Sequence, residues 1–399
     1  MNILFLTMSR INNLEQKGIY SDLLRKFVNE GHNVAIAAPA ERRMNEETNL
    51  KQYDGYSVLR IKVGNLQKTN IIEKGISTVL LESQFLGAIK KYYKDTKFDL
   101  VMYSTPPITF ARVIDFVKKR DNAKSYLLLK DIFPQNAVDL AMFSKGSILY
   151  KYFRNKEEQL YRQSDYIGCM SQANVDYIVK HNPGVKAEII HVSPNSIEPV
   201  EVNKNQELRF AVREKYHIPQ DSTVFVYGGN LGKPQDIPFI IECLKANAEK
   251  PDRFFVISGT GTEYPKLTAY VDKYFPKNVL LINGLPKHEY EELVTACDVG
   301  LIFLDKRFTI PNFPSRLLAY MQNSMPVIAC TDVNTDIGDV IESGGFGWKC
   351  VSDNADSFTN AVEAALESDL AGMGERAKAE LINNYTVDKS YEIIMGYMK

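Results

Sequence analysis

The chain has 399 residues, 45% of them hydrophobic and 24% charged, with a formal net charge of -1. Its length exceeds the roughly 250–300 residues that one hydrophobic core serves, so two domains are expected. The near-neutral charge excludes a bulk attraction to nucleic acid or anionic lipid and leaves only local basic surface.

The opening apolar run, residues 1–8, lacks the cationic flank and small-residue cleavage site of a signal peptide. No window reaches the ~20 apolar residues of a membrane span. Cys169, Cys243, Cys297, Cys330 and Cys350 are scattered and odd in number, with no Cys-x-x-Cys pair. Buried free thiols in a reducing compartment follow, and the cytoplasm is the expected location.

Short apolar runs alternate with amphipathic stretches, the pattern of a parallel sheet covered by helices. In chain order, strands are predicted at 2–8, 33–38, 100–103, 125–129, 166–170 and 188–192. Helices are predicted at 19–30, 76–94, 109–120, 148–162 and 173–181. Residues 193–206, with Pro194, Asn195, Pro199 and Asn205, read as an interdomain linker. A second series follows, with strands at 223–227, 253–258, 279–282, 299–303, 327–329 and 346–351. Its helices fall at 238–246, 288–296, 315–322 and 356–368. Two doubly wound halves can face one another across a cleft, and ligands of such sheets bind at the carboxyl ends of the strands.

Five loops at strand ends carry chemistry. Gly18 precedes the first helix and can bare backbone amides, although no Gly-x-Gly-x-x-Gly dinucleotide fingerprint is present. Tyr227-Gly228-Gly229-Asn230-Leu231-Gly232-Lys233 joins three glycines to a cation, which suits a diphosphate. Ser258-Gly259-Thr260-Gly261 and Ile282-Asn283-Gly284-Leu285 would bring backbone near a phosphate or a base. In Pro311-Asn312-Phe313-Pro314-Ser315-Arg316, Ser315 reads as a helix N-cap and Arg316 lies in the first turn. A cation there opposes the helix dipole unless an anion joins it.

The joint order of these loops, together with Asp165 and Pro194-Asn195, resembles retaining glycosyltransferases of family 4 from end to end. The resemblance implies an α/β GT-B fold of two Rossmann-like domains facing a central cleft. Residues 1–197 would bind the acceptor, 198–380 the nucleotide sugar, and a terminal helix in 381–399 would return to the first domain. It implies a UDP-sugar with its diphosphate near Gly229, Asn230, Lys233, Ser315 and Arg316, and uracil near Asn283 and Leu285. Gly18, Gly259 and Asn312 complete the donor surface. Transfer would retain configuration without cofactor or metal, and the chain contains no Asp-x-Asp triplet.

Within the family, Leu129-Lys130-Asp131-Ile132-Phe133-Pro134 and Ser104-Thr105-Pro106-Pro107 resemble enzymes of capsule and O-antigen assembly, including N-acetyl-fucosamine transferases. Asp131 stands where relatives place a histidine, and is expected to orient donor or acceptor. The family's glutamate pair falls on Pro311 and Ala319, its contacts being lost or taken over by Asn312 or Tyr320. The family's loop arginine is Asn230 here. Basic amphipathic stretches at 68–94 and 145–162 are candidates for the inner leaflet, where a lipid-linked or glycan acceptor would be met. The rivals are a sugar-nucleotide epimerase of the same architecture and a non-catalytic nucleotide-binding partner subunit.

Overall fold

The computed structural model describes residues 1–66, 69 and 71–398, with only the backbone of residues 71, 72 and 74. Lys68, Lys399 and the side chains of Ile71, Ile72 and Lys74, named above or lying in the basic stretches, are outside the described residues. The chain divides into two compact units, Met1–Glu198 with Thr386–Lys399, and Pro199–Tyr385.

The first unit contains β1 (Asn2–Leu6), α1 (Ile19–Asn29), β2 (Asn33–Glu41), β3 (Asn49–Gln52), β4 (Tyr56–Val63), α2 (Ile71–Tyr92) and β5 (Leu100–Ser104). There follow α3 (Ala111–Asp121), β6 (Lys124–Leu129), α4 (Gln135–Asp139), α5 (Ile148–Gln163), β7 (Tyr166–Cys169), α6 (Gln172–His181) and β8 (Ile190–Val192). Its sheet runs β3-β4-β2-β1-β5-β6-β7-β8, parallel except where β3 meets β4. Strands β1, β2, β5 and β6 are buried almost throughout, because helices cover both faces. Ser147 and Ser171 start α5 and α6 by accepting the amides of Tyr150 and Asn174. Gly31, with φ +81°, turns the chain out of α1.

The second unit opens with α7 (Gln206–Lys215), β9 (Thr223–Asn230), α8 (Ile237–Ala246), β10 (Arg253–Thr260), α9 (Tyr264–Tyr274), β11 (Val279–Ile282) and α10 (Lys287–Thr295). It continues with β12 (Val299–Phe303), α11 (Arg316–Gln322), β13 (Val327–Thr331), α12 (Ile337–Ser343), β14 (Gly347–Val351), α13 (Ala355–Leu366) and α14 (Leu370–Asn384). The all-parallel sheet has the order β11-β10-β9-β12-β13-β14, which reverses between β9 and β12. Two Rossmann-like α/β units are therefore present. The last helix, α15 (Val387–Gly396), belongs to the first unit. Val387 and Ile394 enter its core cluster, the Phe27 and Tyr391 rings meet at 4.9 Å, and His191 stacks on Tyr397 at 3.8 Å.

Several elements escaped the periodicity. Strand β4 carries Arg60, buried to 3% exposure beside Glu46, and this breaks an otherwise apolar run. Helix α14 contains Gly372 and Gly374. A Cβ on Gly374 would stand 2.2 Å from the Ser324 carbonyl oxygen, so the glycine permits a close approach to the end of α11. The stretch read as a linker is not uniform. Ser193, Asn195 and Ser196 are buried in the first unit, and Asn205 caps α7 by accepting the Leu208 amide at 2.6 Å. All five cysteines are free and buried, as expected.

Candidate functional site

In an open parallel sheet the crevice lies beyond the carboxyl ends, where the strand order reverses. In the second unit that point is the end of β9 beside β12. Gly229 there has φ +127°, which favours glycine. A Cβ on Gly259 at the end of β10 would lie 1.9 Å from the Gly229 carbonyl oxygen, and one on Gly261 2.2 Å from that of Leu231. A Cβ on Gly284 would lie 2.9 Å from Thr260. The three glycine loops thus form one continuous backbone surface along β9, β10 and β11. Asn283 is exposed on it and Leu285 half-buried.

Arg316 meets this surface from α11. Its guanidinium lies 4.2 Å from the centre of the Tyr227 ring, and its Nη2 would be 3.6 Å from a Cβ on Gly229. Its Nη1 is buried and has no hydrogen-bond partner among the described residues. A buried, unpaired guanidinium nitrogen is costly, and an anion on the glycine surface would satisfy it. Stacking on Tyr227 holds the group there in the meantime.

The remaining predicted residues fall into different roles. Lys233 is exposed just past Gly232 at the same edge. The Asn230 carboxamide donates to Gln235 Oε1 at 2.9 Å, and the same oxygen accepts from the Gly232 amide at 3.2 Å. Asn230 therefore shapes its own loop. Ser315 is exposed at the N-cap position, and its side chain makes no capping bond. Tyr320 does not replace a glutamate: it is buried, with its hydroxyl 3.1 Å from the carbonyl oxygens of Val226 and Leu301.

Asn312 is held by a relay that the sequence did not disclose. Its amide donates to Thr335 Oγ1 at 3.1 Å, and that hydroxyl donates to Asp332 at 2.8 Å. Asp332 is 1% exposed and also accepts the Asn334 amide at 2.8 Å. Asn334 reaches the Phe308 carbonyl at 2.7 Å. The loop after β13 thus braces the loop that leads into α11.

In the first unit the order reverses at β1 and β5, and Gly18 and Asp131 follow the carboxyl ends of β1 and β6. Gly18 donates its amide to Asp22 at 3.1 Å, and a Cβ on it would meet nothing within 4 Å, so no close approach requires a glycine. Thr105 Oγ1 accepts the amides of Lys130 (3.0 Å) and Asp131 (3.1 Å), fixing the turn. The Asp131 carboxylate accepts from Asn136 at 2.7 Å, yet burial pushes its carboxyl up to about 6. Burial pulls the neighbouring Lys130 amine down to about 7, with the Ser193 carbonyl 3.3 Å away. Lys130 stood in the sequence only as part of the Leu129–Pro134 motif, because a lysine after a strand usually reads as solvated. A carboxyl that titrates near neutrality can exchange protons or orient hydroxyls at physiological pH.

The basic stretches keep one face in the core, with Leu81 and Phe85 buried. The opposite face is apolar and open. On α2, Ile76 (57%), Val79 (59%) and Leu80 (48%) are exposed, and on α5 Ile148 (88%) and Leu149 (48%). Lys156 and Glu82, 3.4 Å apart, join the two helices. Among the described residues no helix is long and apolar enough to cross a membrane.

Residues 209–384 match the family of glycosyl transferases group 1. A curated relative, probable glycosyltransferase WbjE of Pseudomonas aeruginosa, is 23% identical over 80% of this chain and 78% of its own length. Among solved structures, sucrose-phosphate synthase from Thermosynechococcus elongatus superposes with a TM-score of 0.74 at 14% identity, covering 100% of this chain and 98% of its own. Anabaena Alr3699/HepE, solved with UDP-glucose, superposes at 0.71 with 15% identity, covering 100% and 99%. The second unit is thus similar to the group 1 glycosyl transferases over residues 209–384, and the chain as a whole has the GT-B fold.

Proposed function

We propose that the chain transfers a sugar from a UDP-sugar, with retention of configuration and without metal, to a lipid-linked or glycan acceptor in capsule or O-antigen synthesis. An N-acetylated amino sugar such as N-acetyl-fucosamine is the donor sugar we favour, from the likeness of the Leu129–Pro134 and Ser104–Pro107 segments to such enzymes. The observation that carries the reading is the buried, unpartnered Nη1 of Arg316 beside the side-chain-free Gly229 turn. A pyrophosphate supplies the oxygens this nitrogen needs, and UDP-glucose is the molecule bound in HepE. Uracil would lie toward Asn283 and Leu285, with Asn312 toward the donor sugar.

In the proposed reaction the acceptor hydroxyl attacks the anomeric carbon on the face that UDP leaves. The carbon–oxygen bond to the β-phosphate breaks with its electron pair on phosphate, and the acceptor proton passes to that oxygen. Arg316 and Lys233 stabilise the charge that develops on the departing diphosphate. Asp131 orients the reacting hydroxyl. The apolar face of α2 and α5, flanked by Lys145 and Lys151, would rest on anionic lipid at the inner face of the plasma membrane.

Thermal unfolding with a panel of UDP- and GDP-sugars tests the donor assignment. UDP and one UDP-sugar should raise the unfolding temperature, because a ligand stabilises the state it binds. Arg316→Met should weaken UDP by about 10- to 100-fold, the worth of a charge-assisted bond to phosphate. An unchanged affinity would remove the basis of the reading.

A further inference from the structure

A second hollow lies in the first unit, at the edge of its sheet opposite to the carboxyl ends. A pocket of about 280 Å3 opens where β1, β2 and β4 begin, with Asn2, Asn33, Gln52, Tyr53, Tyr56 and Tyr92 in its wall. The Tyr53 and Tyr56 rings are parallel to within 3°, with centroids 4.5 Å apart. Tyr53 remains 38% exposed, so ring surface is left open to a ligand.

The protein itself holds these rings in place. Tyr53 Oη donates to the Asn12 carbonyl at 3.2 Å, Tyr56 Oη accepts the Leu14 amide at 3.3 Å, and Tyr92 Oη donates to the Thr48 carbonyl at 3.0 Å. A wall fixed in advance loses little conformational freedom on binding. The carboxamide of Gln52 is exposed at the rim, and the exposed Asn33 carboxamide donates to Asn2 at 3.2 Å. Among the described residues, no Asp, Glu, Lys, Arg or His lines the pocket.

Flat aromatic faces, carboxamides and an absence of charge together select one ligand class. The negative face of a tyrosine ring attracts the weakly positive C–H face of a pyranose. A carboxamide both donates and accepts, which matches neighbouring hydroxyls. The geometry points to a binding site for a neutral saccharide. Asp131 lies beyond the far ends of strands that rise about 3.3 Å per residue, so strands of this length put the pocket roughly 15–30 Å from it. The site therefore holds a glycan away from the reacting sugar, and it does not depend on the donor assignment.

Saturation-transfer NMR on the intact protein with maltohexaose, cellohexaose, mannohexaose and chitohexaose decides the matter. At least one should receive saturation. The signal should fall at least fivefold in Tyr53→Ala, persist in Tyr53→Phe and fall about twofold in the rim variant Gln52→Ala. The thermal shift caused by UDP should be unchanged in all three. No transfer to any of the four glycans overturns the proposal, and so does a signal that survives Tyr53→Ala. Should Tyr53→Ala fail to fold, a full signal in Gln52→Ala overturns it instead.

Discussion

Asp131 and Lys130 are adjacent, half-buried and titrate in separate windows. The Asp131 carboxyl keeps its proton to about pH 6 in the folded protein, but only to about 3.9 when unfolded. Between those values the folded state binds the extra proton, so stability falls as pH rises, and the full penalty stands above pH 6. Asp131→Asn should therefore stabilise the protein at pH 7.5 by up to about 3 kcal/mol, and by nothing below pH 4, in urea titrations at both pH values. Its transferase rate should fall, and the acid limb near pH 6 of the unaltered enzyme should disappear. Lys130 tilts the other way: its amine loses its proton near pH 7 when folded and near 10.4 when unfolded, so stability rises with pH between the two. At this scale the sequence disclosed Arg316 and Asp131 as unusual, because each breaks a local expectation. It could not disclose that Arg316 stacks on Tyr227 or that Gln235 occupies Asn230, since those partners are set by the fold.

Among the elements, the glycine loops and the brace behind them set the shape of the proposed donor surface. Gly259→Ala would force backbone apart at Gly229, and should cost about 1–3 kcal/mol and abolish the thermal shift by UDP. Thr335→Val removes the acceptor of the Asn312 amide and a donor to buried Asp332, a loss of about 1–3 kcal/mol in urea unfolding. Because the loop it frees carries Asn312, proposed to face the donor sugar, steady-state kinetics should show a raised donor KM with a smaller change in kcat. The loops were legible as glycine clusters at the ends of apolar runs. The brace was not, because Asp332-Val333-Asn334-Thr335 has the composition of any turn. Strand β4 was hidden for a related reason: a buried arginine reads as surface until its partner Glu46 is seen.

At the scale of the molecule, both parallel sheets were legible from alternation and length, and the family resemblance supplied their expected use. Docking on lipid through α2 and α5, as proposed, would involve the first unit as a body. Flotation with vesicles containing anionic phospholipid should carry the unaltered protein upward. Ile148→Glu combined with Val79→Glu should leave it in the soluble fraction, with its unfolding temperature unchanged because both positions are exposed. Retention of flotation by that pair would argue against these helices as the contact.

The return of the chain at Thr386 has a consequence for synthesis. Ile197 pairs with Thr386, the Val387 amide donates to the Ile197 carbonyl at 3.1 Å, and α15 then seals the surface near Phe27 and Tyr166. The first unit is thus completed only after the second unit has been made. At about 5–20 residues per second, the roughly 190 intervening residues leave its apolar seam uncovered for about 10–40 s. A nascent chain stalled before residue 386 should therefore bind chaperone along α1, and release it once the terminal helix emerges.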